Sequence, residues 1–77
     1  MEIERIFGLV LKEVRNQKKI SQNELANLAE LDRTYISLLE RGLRQPTIET
    51  VFKLANALNI KASLFIQKIE LINENRP

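Results

Sequence analysis

Two helix-start signals stand close together in this chain and leave little choice about what lies between them. Ser21-Gln22-Asn23-Glu24 has the form of a capping box, in which the serine hydroxyl accepts from the Glu24 amide and the glutamate carboxylate accepts from the Ser21 amide. Asp32 follows as a second N-cap, ahead of Arg33-Thr34-Tyr35 as a first helical turn. The helix between them spans about 22–29, which is only two turns, so packing must hold it. Leu25, Ala26, Leu28 and Ala29 are its candidates for burial. Glu30-Leu31 breaks it, and a third helix carries Ile36 and Leu39 at the spacing that buries one side before Gly42 ends it. About three residues join the two helices, the spacing of a helix-turn-helix.

Helical periodicity accounts for the rest. In 3–17, Ile3, Ile6, Phe7, Val10, Leu11 and Val14 form one apolar stripe of a first helix. After the loop Leu43-Arg44-Gln45-Pro46, Thr47 caps a fourth helix with apolar positions Ile48, Val51, Phe52, Leu54, Ala55 and Leu58. Asn59-Ile60-Lys61 connects it to a fifth helix at about 62–73, and the tail Glu74–Pro77 is polar. The expected architecture is all-α: five helices and no strand, in a single domain over 1–77. The fifth helix carries Leu64, Phe65, Ile66, Ile69, Leu71 and Ile72, more apolar residues than one face of one helix needs. An apolar stripe left exposed marks an interaction surface. Phe65, Ile66, Ile69 and Ile72 are therefore the expected interface of a symmetric dimer.

Composition removes other classes of function. The 77 residues contain no Cys and no His, so no disulfide, no Cys- or His-based metal site and no histidine general base is available. The carboxylates are scattered over expected helix surfaces and there is no phosphate-binding glycine loop, so no catalytic residue, metal or cofactor is expected. A net charge of +2 is too small to argue for nucleic acid without knowing where the charges sit. No apolar run approaches a membrane span, and the amino terminus lacks the basic and apolar regions of a signal peptide. A cytoplasmic protein is expected.

The segment Gln22–Arg41, QNELANLAELDRTYISLLER, resembles the helix-turn-helix of the Cro/repressor (XRE) class. Leu25, Ala26, Ala29, Leu31, Ile36 and Leu39 stand where that class places core residues, and the likeness extends over about residues 6–65. It implies a five-helix, lambda-repressor-like DNA-binding domain. It also implies a partly buried ion pair between Arg15, near the end of the first helix, and Glu40, near the end of the recognition helix. Two positions depart from the pattern: Glu30 stands where the turn usually has Gly, and Lys19 near another usual Gly. A side chain at positive φ costs of order 1 kcal/mol.

Within the class, Leu31-Asp32-Arg33-Thr34-Tyr35-Ile36-Ser37 is similar to controller proteins of restriction–modification systems. That likeness implies a dimer acting on the promoter of its own operon, with a palindromic operator and with RNA polymerase as a further candidate partner. The implied base contacts are Arg33, Thr34 and Ser37, with Tyr35 within reach of bases or a phosphate. Gln22 and Asn23, at the amino end of the second helix, and Arg41, Arg44 and Gln45, after the third, are the candidates for phosphate or minor-groove contact. Two other uses of the same fold stay open. One is a phage- or plasmid-type repressor. The other is an antitoxin-like regulator whose last helix binds a partner protein.

Overall fold

Helix boundaries follow the capping residues. The computed structural model describes residues 2–75. Helix α1 spans Ile3–Gln17, α2 Gln22–Ala29, α3 Arg33–Glu40, α4 Ile48–Ala57 and α5 Ala62–Asn75, with no strand among the described residues. Ser21 Oγ accepts from the Glu24 amide at 3.0 Å while Glu24 Oε1 accepts from the Ser21 amide at 2.9 Å. Asp32 Oδ1 accepts from the Thr34 amide at 2.9 Å, and Thr47 Oγ1 from the Thr50 amide at 3.1 Å. Each cap satisfies an amide that the helix itself leaves free, a contribution of about 1 kcal/mol.

Four helices also end alike. The amides of Ile20, Leu31, Leu43 and Ile60 each reach back to the carbonyl five residues earlier, at 3.4, 2.9, 2.9 and 3.0 Å. The residue before each amide is left-handed: Lys19 at φ 61°, Glu30 at 58°, Gly42 at 74° and Asn59 at 57°. This is the Schellman closure, which glycine adopts most cheaply. Here a single glycine serves it.

The helices wrap one core. Helix α1 packs on α3 and α5, α2 on α3 and α4, and α4 on α5. Ile6, Phe7, Val10, Leu11 and Val14 meet Leu25, Ala26, Ala29, Ile36, Leu39, Val51, Leu54, Ala55, Leu58, Phe65 and Ile69 there. Gly8 sets how near α1 comes to α3. A Cβ added at Gly8 would lie 2.7 Å from the Glu40 carbonyl oxygen and closer still to that of Leu39. Only a residue without a side chain lets α1 lie against those carbonyls.

Packing overturns part of the expected dimer interface. Phe65 is fully buried, and its ring lies 5.5 Å from that of Phe7. Ile69, one turn on, is only 9% exposed. Both point into the monomer core because α5 must cover α1 and α4 with one face, and burying a side chain of this size contributes about 1.5–3 kcal/mol. Ile66 and Ile72 remain exposed, as does Leu71. Leu28, expected in the core, faces outward, and so do Ile3 on α1 and Ile48 and Phe52 on α4.

Candidate nucleic-acid interface

Helix α3 divides cleanly between anchoring and display. Ile36 and Leu39 are fully buried, which fixes the helix to the body. Arg33 and Thr34, in its first turn, are exposed. Asp32 caps that turn, so the amino end of α3 keeps a defined direction. Tyr35 is half-buried with its ring packed against the core, and Ser37 is half-buried as well. Arg33, Thr34 and Ser37 share the side of α3 away from Ile36 and Leu39, by helical periodicity.

The turn before α3 is built on Glu30 in the left-handed region, at φ 58° and ψ 44°. Its amide and that of Leu31 bond back to the carbonyls of Asn27 and Ala26, so α2 stops within one residue. Leu31 then packs against the core. The geometry of the usual glycine is therefore kept with a glutamate in its place.

One carboxylate ties this motif to the first helix. Glu40 Oε2 accepts from Arg15 Nε at 2.6 Å, and Oε1 accepts from Arg15 Nη2 at 3.1 Å. Arg15 Nη1 donates to the carbonyl of Ile20 at 2.9 Å. The side chains are 11% and 3% exposed, so the pair is shielded from water and its two-point geometry matters. The hydrogen bond to Glu40 lifts the Arg15 guanidinium further above its already high range; burial opposes this and the charge of Glu40 assists it. The guanidinium therefore stays protonated throughout the ordinary pH range.

The remaining sequence candidates lie around this frame. Asn23 is exposed at the amino end of α2, and Arg41, Arg44 and Gln45 are exposed after α3. Gln22 is half-buried, and its amide nitrogen donates to Glu40 Oε1 at 3.0 Å. Sequence reasoning missed that bond, because nothing local links positions 22 and 40. It also missed the left-handed Asn59 and the close approach at Gly8. A lone glycine inside an apolar helical stripe was the available signal for Gly8.

No helix of the described residues is long and apolar enough to cross a membrane, and no cluster of acidic residues there could hold a metal ion. A helix-turn-helix family model matches residues 11–65. The control protein C.SmaI of Serratia marcescens is 36% identical over 74 residues, covering 96% of this chain and 88% of the relative. The crystal structure of the restriction–modification controller C.AhdI from Aeromonas hydrophila is 40% identical, with a TM-score of 0.79 over 80% of this chain and 94% of that one. The controller C.Esp1396I, solved as a tetramer with its natural 35-base-pair operator, is 30% identical, with a TM-score of 0.83 over 90% of this chain and 91% of that one. The capped third helix, the core pattern and these likenesses agree, and the chain belongs to the Cro/repressor-type helix-turn-helix family, which includes the control proteins of restriction–modification systems.

Proposed function

We propose that this protein binds double-stranded DNA as a homodimer, reads a palindromic operator through α3, and regulates a restriction–modification operon that includes its own gene. The observation that carries the reading is the split of α3. Its buried side, Ile36 and Leu39, is locked, while Arg33 and Thr34 stand free at its capped end. A recognition helix offers its first turns to base edges in the major groove. There Arg33 can donate to guanine O6 and N7 together, and Thr34 and Ser37 can bond to base edges. Asn23, Arg41 and Gln45 suit the phosphate backbone, and Arg44, on its loop, suits a phosphate or the minor groove. Action is by binding, in the cytoplasm, with RNA polymerase as the partner wherever the bound dimer activates.

The restriction–modification assignment rests on likeness to control proteins, one of them solved with its natural operator. For self-association, Ile66 and Ile72 supply exposed apolar surface on α5. Footprinting of the DNA upstream of the gene tests the reading. Protection of two half-sites about 10–10.5 base pairs apart is expected. Protection nowhere in that region would refute the autoregulatory reading.

A further inference from the structure

Gln22 opens α2, and its carboxamide is not free. Its nitrogen donates to Glu40 Oε1 at 3.0 Å, and Glu40 is the last residue of α3. The same carboxylate takes two hydrogen bonds from Arg15, at 2.6 and 3.1 Å, and Arg15 also holds the Ile20 carbonyl in the α1–α2 connection. Arg15 from the end of α1 and Gln22 from the start of α2 thus converge on one buried acid at the end of α3, and Arg15 also ties in the α1–α2 connection.

From this we propose that Glu40 is a positioning residue for DNA binding, orienting the Gln22 carboxamide and the first turn of α2 against the recognition helix. The proposal rests on the DNA-binding reading above. A glutamine amide has two nearly isosteric ends, an oxygen that accepts and an NH2 that donates twice. Beside DNA the two ends are opposites, since a phosphate repels the oxygen and accepts from the NH2. A carboxylate only accepts, so Glu40 holds the amide by its NH2 end and settles which of the two ends lies where. One N–H goes to Glu40, and the second is left for an outside acceptor.

The neighbouring backbone points the same way. The Glu24 amide is taken by Ser21 Oγ and the Leu25 amide by the Ser21 carbonyl. The amides of Gln22 and Asn23 come before any intrahelical partner and are left for an outside acceptor. Fixing the side chain on folding removes its ordering cost from the binding step, about two- to tenfold in affinity for one such side chain. Because the same acid holds the end of α3, backbone contact and base readout are kept in one register.

A double-mutant cycle and a relaxation measurement test this. Gln22→Ala, Glu40→Gln and the double variant are titrated against upstream and random duplex at two salt concentrations, at a temperature where circular dichroism shows each folded. Each single change is expected to weaken binding to both duplexes about two- to tenfold. The double variant should be no weaker than the worse single. The salt slope should not change for Gln22→Ala, since no charge is removed. Losses that multiply, or a Glu40→Gln variant that binds like the unmodified protein, would overturn the proposal.

Should Glu40→Gln not fold, nitrogen relaxation of the Gln22 side chain in the unmodified protein decides. An order parameter near that of rigid backbone, about 0.85, is expected; one below about 0.6 would show an untethered amide and overturn the proposal. If the unmodified protein binds neither duplex, the DNA-binding reading itself falls, and the proposal with it, however rigid Gln22 proves to be.

Discussion

Replacing Lys19 by glycine should make this protein more stable, although it removes a side chain and adds no contact. Lys19 sits at φ 61° in the closure of α1 and is exposed, so its side chain contributes little by burial. Holding an L-residue in the left-handed region costs about 1–2 kcal/mol, which glycine does not incur. Against this, glycine loosens the unfolded chain by about 0.4–1 kcal/mol. The balance favours Lys19→Gly by about 0.5–1 kcal/mol. In a domain of this size 1 kcal/mol moves the melting temperature by roughly 4–8 °C, so a rise of about 2–8 °C is expected. Glu30→Gly should behave similarly, since Glu30 is exposed at φ 58°. Asn59→Gly should gain less, because asparagine tolerates this region. Urea unfolding followed by circular dichroism reads the midpoint, and an unchanged slope shows that the unfolded ensemble is comparable. Lys19→Gly and Glu30→Gly variants no more stable than the unmodified protein would refute the claim that these closures are strained.

Other changes probe the fold and the interface. Gly8→Ala should destabilise by more than 1 kcal/mol, since its methyl group would meet the carbonyls of Leu39 and Glu40 and separate α1 from α3; urea titration measures it. Arg33→Ala should cost about 1–3 kcal/mol on the operator and little on random duplex, and equal losses in a competition titration would make Arg33 a phosphate contact instead. Ile66→Glu should give folded monomers by sedimentation, because Ile66 is exposed. Ile69→Glu should instead unfold the protein, because it places a charge in the core.

The sequence was most informative where the deciding interaction is local. Ser21, Asp32 and Thr47 each bond an amide two or three residues away, so the starts of α2, α3 and α4 could be read from short strings. The left-handed turn at Glu30 was legible only through the resemblance, which usually has a glycine there, and the glutamate left its geometry open. Orientation of α5 was not. It is apolar around much of its circumference, and periodicity alone cannot say which side α1 and α4 will cover. Phe65 and Ile69 went inward, and Ile66 stayed out. Leu28, Ile48 and Phe52 misled for a related reason, since an apolar residue beside a buried stripe can lie just outside it. The bond from Gln22 to Glu40 joins residues eighteen apart in the chain and exists only once α2 and α3 are docked.

Fluorescence anisotropy decides whether the protein reads the DNA upstream of its own gene. The protein is titrated into labelled DNA from immediately upstream of its gene and into random duplex of equal length, at two salt concentrations. Binding to the upstream DNA at least about 1,000-fold tighter than to random duplex is expected, a difference of about 4 kcal/mol. Equal and steeply salt-dependent affinity for both would contradict it, because contacts to phosphates alone would then explain all the binding.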